Sequence, residues 1–276
     1  MEARGGPWTT KKLARVRDYL IAYQHVMLNQ RWVETIYIDA FCGRGRVRLR
    51  DSRDFTEGSA LQAIGLDRPF SKYHLIEKSQ TSLEKLKAQI RSEYPDRIDR
   101  VQFHAGDVNE ILPSLVSSLN PRKNRAVIFA DPYGMQLDWS TVEAVAKQPI
   151  IDFWLLVPTG IGLSRLLARN PKHMQRGWSE RLDRFLGETG WRDRWYKPTG
   201  QISLFGDEEA MRTATLNQIV ADFQSRLKSV FPCVAENVLH LKNGNVVLFS
   251  LMFACSNPST KAQSVAKRIA NHLLKE

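Results

Sequence analysis

Apolar residues recur along this chain at two spacings, and the two spacings take turns. In "KKLARVRDYLIAYQHVML" (11–28), Leu13, Val16, Leu20, Tyr23 and Met27 share a helical face, with Thr9 or Thr10 as the cap. "VETIYIDAF" (33–41) reads as a strand that ends in a glycine turn, "EGSALQAIGL" (57–66) as a short helix, and "KYHLIE" (72–77) as a second strand. A long amphipathic helix follows over "SQTSLEKLKAQIRSEY" (79–94), then a third strand, "RVQFHAGD" (100–107), and a helix beginning near Asn109. "NRAVIFADPYG" (124–134) and "IIDFWLLVP" (150–158) are nearly all apolar, as strands buried on both faces should be, and the helix "STVEAVAKQ" (140–148) separates them.

The alternation lapses over residues 159–210, which carry no strand signal. It resumes with a helix over 211–230, two strands around "LKNGN" (241–245) that read as a hairpin, and a last helix after Pro258. Strand–helix alternation at this spacing predicts parallel strands joined by right-handed crossovers. The expected class is therefore α/β, a Rossmann-like, doubly wound and mostly parallel sheet closed by a C-terminal antiparallel hairpin. There are no internal repeats and no low-complexity tracts.

At 276 residues the chain suits one domain spanning 1–276 with an insertion at about 159–210. Its apolar content of 43% and charged content of 25% are those of a globular protein. The net charge of +11 changes the picture, because it favours a polyanionic partner, nucleic acid first and anionic membrane second. Cys42, Cys233 and Cys255 are far apart in sequence and form no C-x-x-C pair, which speaks against a metal cluster or a disulfide scaffold. "MEARGGPWTTKK" lacks an apolar signal region and no segment is apolar enough for a membrane span, so a cytoplasmic protein without membrane contact is expected.

Three acidic residues stand at the ends of the first three strands: Asp39, Glu77 and Asp107. Ligands bind at that edge of an open sheet, where a carboxylate such as Glu77 accepts ribose hydroxyls. Gly43 and Gly45 let the loop after the first strand pass close to a ligand. The plain alternative makes Glu77 and Asp107 helix N-caps. At the end of the fourth strand stands "ADPYG" (130–134). An exocyclic amine delocalises its lone pair into its ring; the Asp131 carboxylate and the Pro132 carbonyl would accept its two hydrogens and localise that pair. Tyr133 could stack on the base. The alternative is a non-catalytic Asp-Pro turn.

In order and in type these motifs resemble those of the class I S-adenosylmethionine-dependent methyltransferases. "YIDAFCGRG" is similar to their first motif, D-x-F-x-G-x-G. The resemblance implies that S-adenosylmethionine is the cofactor, that Asp39 and Phe41 shape the amino-acid end of its pocket, and that Asp107 and Val108 hold the adenine. "DPYG" resembles the D/N-P-P-Y motif of amine methyltransferases, with the tyrosine one place earlier, and is closer to the D-P-F/Y-G form of tRNA guanine-N2 methyltransferases. From about residue 8 to 273, "WTTKKLARVRDYLIAY", "YIDAFCGRGR", "GSALQAI", "ADPYG" and "LMFACSNPSTKAQSVAKRI" follow the order of the bacterial three-Cys-motif partner (TcmP) family. That resemblance implies a Rossmann-type methyltransferase encoded beside a cysteine-motif, radical-SAM-like protein, a possible partner to which the three cysteines of the family name belong.

Two basic clusters complete the inventory. Residues 160–200 hold nine Lys/Arg against four acids, with Trp178, Trp191, Trp195 and Tyr196 interleaved. Arg192 and Arg194 would hold phosphates while the rings stack on bases, although each tryptophan taken alone reads as a core anchor. In "FCGRGRVRLR" (41–50), Arg44, Arg46, Arg48 and Arg50 alternate. Four guanidinium groups would repel a sulfonium, so an extended 44–50 would turn them away from the cofactor, toward substrate phosphates. An exposed basic loop is the alternative. His25, His74 and His104 have no metal-ligand spacing and read as structural. The expected function is methyl transfer to an exocyclic amine of a nucleic-acid base. Its rivals are a non-catalytic partner subunit that keeps the pocket, and methylation of a protein or small molecule, which leaves the charge unexplained.

Overall fold

The computed structural model describes residues 4–30, 32–49, 55–160, 167, 176–202 and 208–275. In chain order its first half runs β1 (Arg4–Gly5), α1 (Pro7–Met27), β2 (Glu34–Asp39), β3 (Arg46–Leu49), β4 (Phe55–Glu57), α2 (Ser59–Ile64), β5 (Lys72–Glu77), α3 (Gln80–Glu93), β6 (Val101–Ala105) and α4 (Val108–Ser118). The second half runs β7 (Asn124–Ala130), α5 (Trp139–Lys147), β8 (Ile151–Val157), α6 (Arg176–Leu186), α7 (Trp191–Trp195), β9 (Tyr196–Ile202), β10 (Glu208–Arg212), α8 (Leu216–Val230), β11 (Cys233–Val234), β12 (Leu239–Asn243), β13 (Val246–Cys255) and α9 (Thr260–Leu273).

The main sheet has the order β11-β13-β8-β7-β2-β5-β6, with β12 paired to β13. β6, β5, β2, β7 and β8 are mutually parallel, and β13 closes the sheet antiparallel to β8. This is the α/β, Rossmann-like doubly wound sheet with its antiparallel hairpin. The chain winds outward from β2 to β6 and restarts at β7, so the strand order reverses between β2 and β7. A crevice opens outside the carboxyl ends of the strands at such a switch point.

Both faces of the sheet are buried. α1, α2, α3 and α9 cover one, with Tyr19, Leu20, Phe70 and Trp154 in its core. α4, α5 and α8 cover the other, and there Phe185 of α6 and Trp191 and Trp195 of α7 join the same core as Ile128 and Phe153.

Three local expectations are corrected. α1 begins at Pro7 behind Gly6 with no side-chain cap, so Thr9 and Thr10 lie inside the helix. The fixed φ of proline suits the first helical position and makes a hydroxyl cap dispensable. Residues 159–210 contain strands after all, since β9 and β10 pair antiparallel. Their sequences, "YKPTGQI" and "EEAMR", lack apolar alternation, so the backbone ladder holds what side-chain pattern could not reveal. β10 also takes the start of the helix expected over 211–230, which begins at Leu216 behind a Thr215/Gln218 capping box. Cys233 and Cys255, distant in sequence, face one another across β11 and β13 as buried free thiols. Among the described residues no helix is long and apolar enough to cross a membrane.

At the outer strands, His74 Nδ1 and His104 Nε2 lie 3.0 Å apart with their rings stacked. Burial, then the neighbouring His104 and Lys72, pushes His74 down to about 4, and burial lowers His104. An unfolded histidine binds its proton near pH 6.5, so between there and about 4 the unfolded chain holds protons that folded His74 does not. Stability is therefore lost as pH falls through this window, by about 1.4 kcal/mol per pH unit for His74. Urea midpoints at pH 7 and 5 check this, with His74→Phe as the variant whose loss should be smaller; an unchanged pH dependence in that variant refutes the assignment.

Candidate active site

The carboxyl ends of the parallel strands open into a cavity of about 900 Å³, at the upper end of small-molecule sites. Phe41, Glu77, Asp107, Val108, Asp131 and Tyr133 all line it. The sheet thus brings together residues up to 92 positions apart in sequence, 41 to 133.

Glu77 ends β5, and its carboxylate accepts from Gly43 N at 3.0 Å and Ser79 N at 2.8 Å. One side chain thereby pins the glycine turn to the start of α3, whose cap is Ser79 itself. Asp107 does cap a helix: its Oδ1 accepts from Asn109 N at 3.0 Å and its Oδ2 from Lys78 Nζ at 2.9 Å. The Asn109 amide first and Lys78 second hold its carboxyl below the usual range. Capping and lining coincide here, because the residue sits where strand, helix and cavity meet.

Asp39 is placed differently from expectation. It is fully buried and is not in the cavity wall, which Ala40 and Phe41 supply. Its carboxylate accepts from Phe41 N at 3.3 Å and from the Tyr37 hydroxyl at 3.2 Å, so it fixes the bend of the chain beneath the pocket. Burial pushes it up to about 6, opposed by hydrogen bonds from Ser59, Phe41 and Tyr37. Gly45 is also corrected. It packs away from the cavity, with a φ of 92°, and a side chain there would meet Gln89 Oε1 at 2.3 Å. Its role is the fit of the turn against α3; Gly43, at φ 63°, offers its N–H to Glu77.

Asp131 follows β7 at the mouth, 30% exposed, and Lys12 Nζ from α1 donates to its Oδ2. The Lys12 side chain is only 8% exposed and lies over the Phe129 ring. Pro132 is buried, whereas Tyr133 is 87% exposed, a bare ring at the rim.

The basic residues divide. Arg44 lies in the turn and only Arg46–Leu49 is extended, as β3 of a side sheet with β1 and β4. The expected face therefore reduces to Arg46, which pairs with Glu93 at 2.9 Å, and half-buried Arg48; Arg50 lies outside the described residues. Arg192 and Arg194 are corrected. Arg192 grips Asp183 with both terminal nitrogens, at 2.7 and 2.9 Å, and lies over Trp191; Arg194 bridges Asp222 and Glu188. Their charge is spent within the protein. Trp191, Trp195 and Tyr196 are buried and offer no stacking face, and Trp178 is half-buried. Arg181 and Arg184 of α6 instead line the cavity, both exposed, with Arg184 Nε 3.7 Å from Asp138.

Sequence reasoning missed Lys12 and Asn109 as site residues. Asn109 links Asp107 to the loop after Asp131: its amide donates to Gln136 O at 2.8 Å, and its Oδ1 accepts from Asp138 N at 2.9 Å. Its position directly after the start of a predicted helix carried no signal for that. Lys12 did leave one, since it falls on the buried stripe of α1 with Val16 and Tyr19.

No known family model matches the chain, and no curated protein matches it. Among solved structures, it is similar to protein LPL1258 from Legionella pneumophila, of family DUF519, with TM-score 0.49, 12% identity, and 94% of this chain and 91% of that one covered. It is similar to Trm1 from Pyrococcus horikoshii, solved with S-adenosyl-L-methionine, with TM-score 0.45, 10% identity, and coverage of 92% and 58%. An S-adenosylmethionine-dependent methyltransferase from Clostridium acetobutylicum gives TM-score 0.40, 13% identity, and coverage of 88% and 91%. Likenesses this weak carry no weight for function, and the fold rests on the strand order of the chain itself.

Proposed function

We propose that this chain is an S-adenosylmethionine-dependent methyltransferase acting on an exocyclic amine of a nucleic-acid base. The observation that carries the reading is the convergence of Glu77, Asp107, Asp131 and exposed Tyr133 on one cavity at the switch point. The cavity fits the cofactor in size, and its two strand-end carboxylates suit ribose hydroxyls and an adenine amino group. When bound, the cofactor supplies an electrophilic methyl group.

The chain's own residues do the rest. Asp131 Oδ1 accepts one amine hydrogen while Lys12 holds Oδ2, and the Pro132 carbonyl accepts the other. Tyr133 offers a stacking face, and Arg181 and Arg184 set positive charge beside it for flanking phosphates. The net charge of +11 supports the same substrate class. One observation favours a second reading, a non-catalytic partner subunit of a cysteine-motif protein: Lys12 already donates to the carboxylate that the amine needs.

The test is transfer of a labelled methyl group from S-adenosylmethionine to total nucleic acid, with and without nuclease, beside calorimetry of cofactor binding. Transfer that nuclease abolishes is expected, with cofactor affinity lowered about tenfold or more in Glu77→Ala. Cofactor binding without transfer to any nucleic acid, even beside a cysteine-motif protein, favours the subunit; no cofactor binding removes the methyltransferase reading.

A further inference from the structure

A second carboxylate lies half-buried at the opposite edge of the sheet, where nothing in the proposed reaction uses it. Asp152 is the second residue of β8, at the amino end, whereas Asp131 follows the carboxyl end of β7. The Tyr19 hydroxyl donates to Asp152 Oδ2 at 2.6 Å, and Cys255 faces Asp152 across β13 and β8. Among the described residues no lysine or arginine forms an ion pair with it. One neutral donor offsets part of the cost of shielding this carboxylate from water, and burial pushes its pKa up.

Asp152 lines a cleft of about 320 Å³ between α1 and α9. Tyr23 stands beside it, 95% hidden from solvent (5% exposed), and its hydroxyl is buried without any hydrogen-bond partner. An unpartnered buried hydroxyl is costly, by about 1–3 kcal/mol, and such groups ordinarily find a partner. Val26, Ile150, Val265 and Ile269 make the walls apolar. The cleft therefore presents a carboxylate that has no ion-pair partner among the described residues and a vacant acceptor oxygen, beside apolar walls.

We propose that this cleft binds a small primary monoamine with an apolar body. The ammonium supplies the missing positive charge to Asp152, and its remaining N–H groups reach the Tyr23 oxygen. The body lies against the apolar walls, and 320 Å³ suits a single ring or short alkyl chain. Arg125 and Lys261 also line the cleft and would repel a second cation, which selects monoamines over diamines. This site is independent of the methyltransferase reading and needs no cofactor.

Calorimetry and thermal melts with phenethylamine as the probe test it on the full chain. Binding with a Kd of about 1 mM or tighter and a raised Tm are expected, with 2-phenylethanol and cadaverine each at least about tenfold weaker. Asp152→Asn should abolish phenethylamine binding and Tyr23→Phe should weaken it, with circular dichroism confirming each fold. Should Asp152→Asn fail to fold, Ala262→Phe fills the slot from the partly exposed face of α9 and should block binding alike. Phenethylamine that does not bind, that binds Asp152→Asn or Ala262→Phe as it binds the wild type, or that binds no better than its alcohol overturns the proposal.

Discussion

Asp131→Asn will slow methyl transfer by about 10² to 10³, equivalent to roughly 3–4 kcal/mol of lost transition-state stabilisation, while cofactor affinity stays unchanged. The amide keeps the size of the carboxylate, so the loop to Tyr133 keeps its place. What is lost is a charged acceptor for the amine hydrogen, needed most as positive charge develops on that nitrogen. In the proposed reading the cofactor is held from other strand ends, chiefly by Glu77 and Asp107, which line the cavity. Single-turnover assays beside calorimetry separate the two effects. Wild-type rates in the variant would reduce "DPYG" to a turn.

Removing the Asp131 side chain altogether should cost far more stability than removing its partner's charge. In Asp131→Ala the Lys12 ammonium, 8% exposed, is left without an anion, and breaking a buried pair in this way costs about 3–5 kcal/mol. Lys12→Met keeps the stem over Phe129 and leaves a carboxylate that is 30% exposed and open to water, at a cost of no more than about 1 kcal/mol. The double variant should fall well short of the summed costs, because the orphaned charge is gone. Urea denaturation of the three proteins measures this. Equal costs for the two single changes would mean that water reaches Lys12.

Much of this arrangement could be read before any coordinates. Buried parallel strands announce themselves as apolar runs, and an acid directly after such a run lies at the sheet's carboxyl edge. Glu77, Asp107 and Asp131 were found in that way. Asp39 follows the same rule yet points under the chain, because the direction of a side chain at a bend depends on neighbours such as Tyr37 and Phe41. Arg192 and Arg194 looked like phosphate ligands because their partners, Asp183, Glu188 and Asp222, meet them only in the fold. Charge composition records how many cations there are and says nothing of which are neutralised. Lys12 was overlooked for the opposite reason: a lysine in the first turn of a helical run looks like a solvated end.

The burial of Trp191 and Trp195 has a consequence for modularity. Trp191 pins the Asp183–Arg192 pair through its indole N–H, and Trp195 donates to Asp222 on α8, so the insertion is stitched to the helix it packs on. Gly187 turns the chain so close to Trp139 of α5 that a side chain would meet that ring at 2.3 Å. Such a segment cannot be excised or exchanged as a cassette. Any graft of this segment must carry the inner faces of α5 and α8 along with it.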